Sequence, residues 1–252
     1  MRVQFVSMVE SKGVTMTNRE RTILLAVLVG FAAFGTWLSS YNRPHMDFFC
    51  QEDGFVEYSE AFLYLFAGGF FAYIGAHRRF RNVWYWGYAV LFLGICGEEV
   101  SWGQRIYSIA PPQELVAANV QGEMNLHNID GLHQHHHLYG LMVCSVICYV
   151  IPLTDRFLPA LRNLYRRFNM PVFPLWTAPL PILGFAFMVV PRMLGRSNFN
   201  YDEMGELYMA MSFFGFALSA YAKTRPVLES VPAEEPVQAA DRGGALAMRP
   251  FP

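Results

Sequence analysis

The chain has 252 residues, of which 54% are hydrophobic and only 15% are charged. Since about 25% of a typical soluble domain is charged, this composition excludes an ordinary soluble fold and predicts an all-α protein that crosses a membrane several times. With a formal net charge of −1, the chain has no excess of basic residues to bind the phosphates of a nucleic acid. This argues against nucleic acid as a partner.

A polar segment at residues 1–21 precedes the first apolar run, at residues 22–41. About 20 residues in a helix are enough to span the ~30 Å hydrocarbon core of a membrane. A cleavable signal peptide is the alternative interpretation, because basic residues precede the run. We favour a membrane span, because the run is long and no A-x-A cleavage site follows it.

Five more apolar segments are long enough to cross a membrane as helices. They lie at residues 57–76, 83–102, 137–154, 171–190 and 203–222. Four prolines in the fifth segment predict a kink in its first half. Residues 226–252 are dominated by Pro, Ala, Glu and Gly and are predicted to be a disordered tail. The sequence therefore predicts a six-span membrane domain at residues 22–225.

Basic residues are distributed asymmetrically between the segments that connect the spans. With the N-terminus in the cytoplasm, fifteen of the 19 Lys and Arg residues fall in cytoplasmic segments. This positive-inside pattern predicts a six-helix transmembrane bundle with both termini cytoplasmic. The loop of about 34 residues between the third and fourth spans then lies outside, and Pro111 and Pro112 predict a short helix within it.

Glutamates of three predicted spans lie at one depth below the outer surface. Glu60, Glu98 and Glu206 are each 17 residues from a basic residue at the cytoplasmic end of the same span, or about 25 Å along a helix. Glu57 and Glu203 lie one turn further out on the same helix faces. Ionisable residues at such a depth are candidates for function, although contact with lipid headgroups is an alternative explanation.

The third span ends in two adjacent glutamates, Glu98 and Glu99. Neighbouring residues on a regular helix point about 100° apart, so only one of this pair faces a shared site. We predict a metal site formed by Glu60, Glu98 and Glu206 with His127 of the outer loop, and Glu99 is the alternative to Glu98. Carboxylate and imidazole ligands suit Zn, Fe or Mn, although the sequence contains neither H-E-x-x-H nor C-x-x-C.

A histidine-rich stretch, residues 133–137, opens the fourth span. His133 and His137 are four residues apart and His133 and His136 are three apart, so either pair would share a helix face. A polar start to a helix at the membrane interface explains the stretch without a ligand. We favour that interpretation.

Two polar residues follow Trp102 at the outer interface. The guanidinium of Arg105 suits bidentate contact with phosphate or carboxylate, so it is expected either to hold a lipid headgroup or to pair with a glutamate. We predict that Gln104 and Arg105 orient the polar head of a substrate. Ser101 is a nearby hydroxyl, but it lacks the G-x-S-x-G context of a nucleophile.

Two sequence blocks carry a resemblance to a known family. Residues 98–105 read E-E-V-S-W-G-Q-R, and residues 121–128 read Q-G-E-M-N-L-H-N. These blocks resemble a family of uncharacterised bacterial multi-pass membrane proteins that carry E-E-x-S-W-G-Q-R followed by Q-x-E-x-N-L-H-N. The resemblance implies a bacterial origin and hence the cytoplasmic (inner) membrane, but it implies no activity.

A looser similarity is to membrane hydrolases of the ceramidase type. These enzymes gather histidine and acidic residues from several helices around zinc. This sequence departs from that pattern in having six predicted spans rather than seven and no clear histidine pair in its last span. The similarity is therefore an analogy only.

Together these features favour a membrane-embedded, metal-dependent hydrolase with its site at the outer face and a lipid or other amphiphile as substrate. A metal-bound water of lowered pKa would be the nucleophile, with Glu57 or Glu203 as general base. One alternative is a transporter or channel with an acidic cation or proton site, and another is a non-catalytic structural subunit. The inner halves of the spans are nearly free of charge, which favours the enzyme, because a transporter normally needs a midplane site.

Overall fold

The computed structural model describes residues 17–41, 43–51, 53–77, 82–133, 135–195 and 199–229. These residues form an all-helical fold, and β-type pairing within them is limited to an isolated bridge between Asn119 and Ile129. Residues 1–16 of the predicted N-terminal segment and residues 230–252 of the predicted tail lie outside the described residues.

Eleven α-helices follow one another along the described chain. They are α1 (Asn18–Tyr41), α2 (Arg43–Phe49), α3 (Phe55–Ala76), α4 (Val83–Glu99), α5 (Gln104–Tyr107), α6 (Gln113–Ala118), α7 (His136–Ser145), α8 (Ile151–Phe157), α9 (Pro159–Arg167), α10 (Pro179–Met193) and α11 (Phe199–Glu229). The short helix predicted near Pro111 and Pro112 is α6, which begins directly after Pro112.

A π-helical turn at Val146–Val150 joins α7 and α8 into one continuous helical unit, His136–Phe157. Within it the N–H of Ile151 bonds to the carbonyl oxygen of Val146, five residues back. The π-helical turn ends two residues before Pro152. Proline has no N–H to donate, and its ring crowds the helical turn that precedes it. The helix widens at this point instead of ending.

Three helical units are long and apolar enough to cross a membrane: Asn18–Trp37, Phe55–Ala76 and His136–Phe157. The helix Pro179–Met193 is apolar but shorter. The third predicted span overlaps α4 and the sixth overlaps α11. With these two, all six predicted spans overlap helices of the structure. The composition and the helices together show a helical protein with membrane-spanning potential.

The fifth predicted span differs from the helix that the structure contains. Residues 171–174 are not helical, Leu175–Thr177 forms a 3-10 turn, and α10 begins at Pro179. The prediction of a kinked helix over residues 171–178 is therefore wrong, because closely spaced prolines leave too few N–H donors for a helix. At the other end of the chain, α11 continues through Pro226 to Glu229, four residues into the predicted tail.

The helices α3, α4, α10 and α11 form the packed centre of the molecule. α3 lies against α4 and α11, and α10 lies against α11. The core between them is rich in aromatic rings, and the ring centroid of Phe71 lies 5.1 Å from Tyr88 and 5.0 Å from Phe216. These contacts place the starts of α3 and α11 beside the end of α4.

The helices α10 and α11 approach each other closely at two glycines, Gly184 and Gly205. A Cβ atom on Gly184 would lie only 2.6 Å from the carbonyl oxygen of Gly205. A larger residue would therefore force the two backbones apart. Because Gly205 precedes Glu206, this crossing also fixes the position of the Glu206 side chain.

Candidate functional site

Five acidic and imidazole side chains meet at one end of the helical bundle, and we call them the acid–histidine cluster. They are Glu60 of α3, Glu99 of α4, His136 and His137 of α7, and Glu206 of α11. The cluster lies where α3, α7 and α11 begin and α4 ends. Four helices contribute to it, so the packing of the bundle assembles the site.

The acid–histidine cluster consists of two overlapping groups of ligand atoms. One atom each of Glu60, Glu99 and Glu206 lies within 4.8 Å of the others. The same holds for His136, His137 and Glu206. Because protein ligands lie about 2.0–2.2 Å from a zinc ion, either group could hold an ion of this size once its ligand atoms move closer together.

Glu60 is the most deeply buried carboxylate of the cluster. Its side chain has no exposed surface, and neither of its carboxylate oxygens has a hydrogen-bond partner. The charged groups that act on it are all carboxylates: Glu203, Glu99, Glu206 and Glu57. A buried carboxylate costs several kcal/mol unless a donor, a cation or a metal offsets its charge. Within the described part of the chain, Glu60 lacks such a partner.

The two histidines of the cluster lie on the first turn of α7. Nδ1 of His136 lies 2.6 Å from the carbonyl oxygen of His133. Nδ1 of His137 lies 3.3 Å from the Glu206 carboxylate, and its Nε2 lies 3.9 Å from Asp202. A backbone carbonyl therefore orients the His136 ring, whereas Nδ1 of His137 is buried without a hydrogen-bond partner among the described residues.

Glu98 and His127, which the sequence predicts as metal ligands, contact each other outside the two groups. One Glu98 oxygen accepts hydrogen bonds from the backbone N–H groups of Leu126, at 2.6 Å, and His127, at 3.1 Å. Nδ1 of His127 lies 3.4 Å from the same oxygen. The other oxygen accepts the indole N–H of Trp102 at 2.7 Å. In this structure Glu98 anchors the loop that follows α4.

A left-handed turn follows Glu98 and Glu99, which point about 100° apart on α4. α4 ends at Glu99, and the next residues Ser101, Trp102 and Gly103 have φ values of 45°, 54° and 78°. Non-glycine residues in this region are strained and persist only where their surroundings impose the conformation. The turn sends the chain back over the end of α4, so Glu98 meets the returning loop while Glu99 joins the cluster.

A buried hydrogen-bond network holds the loop between α4 and α7. The Ser101 hydroxyl donates to the Glu123 carboxylate at 2.8 Å, and the Asn125 side-chain amide donates to the same oxygen at 2.6 Å. The Asn119 amide donates to the Asn125 side-chain oxygen at 2.9 Å. All four residues are buried. Because buried polar groups are stable only when hydrogen-bonded, the network specifies one loop conformation.

Gln104 and Arg105, predicted to orient a substrate, belong to the same loop. Arg105 forms ion pairs with Asp53, at 2.7 Å, and with Glu123. The side-chain oxygen of Gln104 accepts the backbone N–H of Met124 at 2.6 Å. Of the two interpretations of Arg105, the structure shows pairing with acids, and these acids lie outside the cluster.

The two predicted general bases have different surroundings. Glu57 accepts a hydrogen bond from the backbone N–H of Asp53 at 2.7 Å, in the first turn of α3. Glu203 lies one helix turn before Glu206 and is one of the carboxylates that act on Glu60. Glu57 therefore has a backbone donor at the start of its helix, and both glutamates act electrostatically on Glu60.

The interpretation of residues 133–137 as a polar helix start misses two members of the cluster. His136 and His137 are adjacent, and both reach Glu206 because α7 begins opposite α11. His133 lies outside the two groups, and its Nδ1 is 3.0 Å from the Asn128 side-chain oxygen. The signal in the sequence was the position of the histidines at the start of an apolar helix, but spacing alone does not show what they face.

An open groove of about 400 Å³ lies beside the acid–histidine cluster. Its walls come from α4, the α4–α7 loop and α7, and nearly all of the surface that they expose to the groove is apolar. The residues that line it are Gly94, Glu98, Trp102, Leu126, His127, Leu132, His136 and Tyr139. Because His136 belongs to both the groove and the cluster, a ligand that fills the groove has one end at the cluster.

The chain was also compared with known proteins. No protein-family profile, curated protein or solved structure matches it. The function is therefore inferred from the residues and their geometry.

Proposed function

We propose that this chain is a multi-pass protein of the bacterial inner membrane. Six helical units, namely α1, α3, α4, α7 with α8, α10 and α11, would cross the membrane, with both termini in the cytoplasm. Large apolar side chains are exposed on α1 and α3, among them Phe34, Trp37, Phe62 and Phe66. Exposed apolar surface of this kind is rare on soluble monomers and supports contact with lipid.

We further propose that the protein is a metal-dependent hydrolase whose metal is bound by the acid–histidine cluster. The observation that carries this proposal is Glu60, a fully buried carboxylate without a hydrogen-bond partner and surrounded by other carboxylates. A divalent cation between Glu60, Glu99 and Glu206 would offset this charge. Carboxylate and imidazole ligands together suit Zn, Fe or Mn.

The same arrangement supports hydrolysis of an amphiphile. A metal ion held by Glu60, Glu99 and Glu206 would supply a bound water of lowered pKa as the nucleophile for hydrolysis. Glu203 borders the cluster and is the candidate general base that accepts the proton of this water. The groove is large enough for the apolar part of a substrate, because ligand pockets typically measure about 300–1,000 Å³. His136 would mark the polar end of the bound molecule.

Metal analysis of the full-length protein purified in detergent tests this proposal. We expect stoichiometric Zn, Fe or Mn in the wild-type protein and less than a tenth of that amount in Glu206→Gln, because Glu206 belongs to both groups of ligands. Glu114→Gln is the matched control, since Glu114 is exposed on α6 and belongs to neither group of ligands. Metal-free wild-type protein after exposure to each of the three ions would contradict the proposal.

The hydrolytic part is tested separately. Metal-loaded protein is incubated with vesicles that contain labelled ester, amide and phosphodiester lipids, and the products are identified by mass spectrometry. We expect cleavage of one class by the wild-type protein and none by Glu206→Gln. Metal binding without any cleavage would contradict the hydrolase and leave the metal site intact.

A further inference from the structure

We infer that the acid–histidine cluster is a two-metal centre in which Glu206 bridges the ions. This inference rests on the proposed metal site at Glu60, Glu99 and Glu206, and it adds a second site at His136, His137 and Glu206. Among the described residues, Glu206 alone belongs to both groups. A carboxylate has two oxygens, so it can bind one ion through each of them. Two-metal hydrolases hold their ions about 3.5–4 Å apart.

The spacing of the ligand atoms divides the cluster into two sets of three. No larger set among the described residues has all its ligand atoms within 4.8 Å of one another. One ion at the centre of five ligands would require such a set. Two ions, each with three protein ligands and one of them shared, are compatible with this grouping.

The two histidines have the surroundings of metal ligands. A metal-bound histidine usually donates its second ring N–H to a carbonyl or carboxylate oxygen, which fixes its tautomer and orientation. For His136 the acceptor is the His133 carbonyl, 2.6 Å from Nδ1. For His137, Nδ1 is buried without a hydrogen-bond partner in the described part of the chain, and the Asp202 carboxylate, which pairs with Arg192 at 2.7 Å, lies 3.9 Å from Nε2, beyond hydrogen-bonding distance. Nε2 of His136 and Nδ1 of His137 are therefore the candidate ligand atoms.

The charge around the cluster also supports two ions. Five carboxylates act on one another here: Glu57, Glu60, Glu99, Glu203 and Glu206. One divalent ion offsets two of their negative charges, and two ions offset four. The pair of imidazoles adds neutral ligands for the second ion without adding negative charge.

The two sets of ligands differ in kind. The site at Glu60 and Glu99 offers only carboxylate oxygens, which suit a hard cation such as Mn²⁺. The site at His136 and His137 adds imidazole nitrogens, which suit Zn²⁺ or Fe²⁺. Because Mn²⁺ is accepted by both ligand types and is paramagnetic, it is the probe for the experiment.

The test counts Mn²⁺ ions in the full-length protein in detergent, by elemental analysis and electron paramagnetic resonance. We expect two ions per chain and a spin-coupled signal in the wild-type protein. Glu60→Gln and His137→Gln should each bind one ion and give the signal of an isolated Mn²⁺. Glu206→Gln should bind less than a tenth of the wild-type amount. Circular dichroism checks that each variant keeps its helices, and Glu114→Gln should bind two ions.

The results separate this inference from the proposed function. One ion per wild-type chain, with His137→Gln also binding one, would overturn the second site and leave the metal-dependent function standing. Absence of metal from the wild-type protein would overturn both. Two uncoupled ions in the wild-type protein would overturn the bridging role of Glu206.

Discussion

Glu98 and Glu60 are both buried to some degree, yet hydrogen-bond donors surround only one of them. Glu98 accepts three N–H groups and is satisfied as an anion. Glu60 accepts none. A carboxylate of the first kind holds the backbone in place, whereas one of the second kind requires a cation or a proton. The donors around a side chain therefore distinguish an anchor from a ligand.

Replacement of Glu98 by alanine is expected to loosen the α4–α7 loop. The change removes the acceptor of the Trp102, Leu126 and His127 N–H groups, and hydrogen bonds to charged groups contribute about 1.5–3 kcal/mol. We expect the free energy of unfolding to fall by about 2 kcal/mol, and hydrogen exchange at the Leu126 and His127 amides to accelerate at least tenfold. Exchange measured by mass spectrometry checks this.

The matched control for this prediction is Glu114→Ala, which removes an exposed glutamate. It should leave exchange at the loop amides unchanged. The metal content of Glu98→Ala should equal that of the wild-type protein, because neither group of ligands includes Glu98. A loss of metal in Glu98→Ala would favour the sequence prediction that Glu98 is itself a ligand.

The sequence identifies some residues of the cluster better than others. Glu60 and Glu206 lie inside regular helices, so a count of residues along each helix is enough to predict their depth. The choice between Glu98 and Glu99 depends on how α4 is rotated about its axis and on where the following loop returns, and hydropathy reports neither. The sequence could not show that His136 faces Glu206. The path of the α4–α7 loop, which leads to His136, depends on side-chain hydrogen bonds between residues far apart in the sequence.

The crossing of α10 and α11 also positions a side chain next to the contact, that of Glu206. Gly184 and Gly205 allow the backbones to touch, and Glu206 follows directly. Any change in the distance between these helices moves Glu206 relative to Glu60 and His137. The geometry of the site therefore depends on residues without functional groups.

Replacement of Gly184 by alanine tests this dependence. The new methyl group would lie 2.6 Å from a backbone oxygen that cannot rotate away. Overpacking of this kind costs about 1–3 kcal/mol, so we expect a lower thermal midpoint in circular dichroism and weaker metal binding. Gly69→Ala is the control, because nothing lies within 4 Å of its new Cβ and alanine favours a helix by about 0.5–1 kcal/mol. Equal midpoints for the two variants would contradict the close contact.

Hydropathy predicts the helices well and their irregularities poorly. Apolar runs of about 20 residues indicate where helices lie, and all six predicted spans overlap helices. Residues 171–178 read as part of a span because their side chains are apolar, although their prolines cannot sustain helical hydrogen bonds. The π-helical turn before Pro152 has the same origin, because a missing N–H does not change hydropathy.

The distribution of charge over the molecule bears on its orientation. α9, which follows the α7–α8 unit at the end opposite the cluster, carries Arg162, Arg166 and Arg167. The acid–histidine cluster lies at the other end. If the positive-inside rule holds here, the basic end faces the cytoplasm and the cluster faces outward.

Reporter fusions test this orientation. We expect alkaline phosphatase fused after Gly122, in the α4–α7 loop, to be active, because that enzyme folds only outside the cytoplasm. A green fluorescent protein fused after Pro252 should fluoresce, because it matures in the cytoplasm. Alkaline phosphatase fused after Arg167 is the control and should be inactive. The reverse pattern would place the cluster on the cytoplasmic face.

The shared position of Glu206 has a consequence for how the protein is made. α11 is C-terminal to every other described helix, so Glu206 leaves the ribosome after all its partners in the cluster. Neither ligand group is complete on a nascent chain until α11 has joined α3. If the cluster binds metal as proposed, ion uptake is a late step in biogenesis, and a chain truncated before α11 lacks a complete set of ligands in either group.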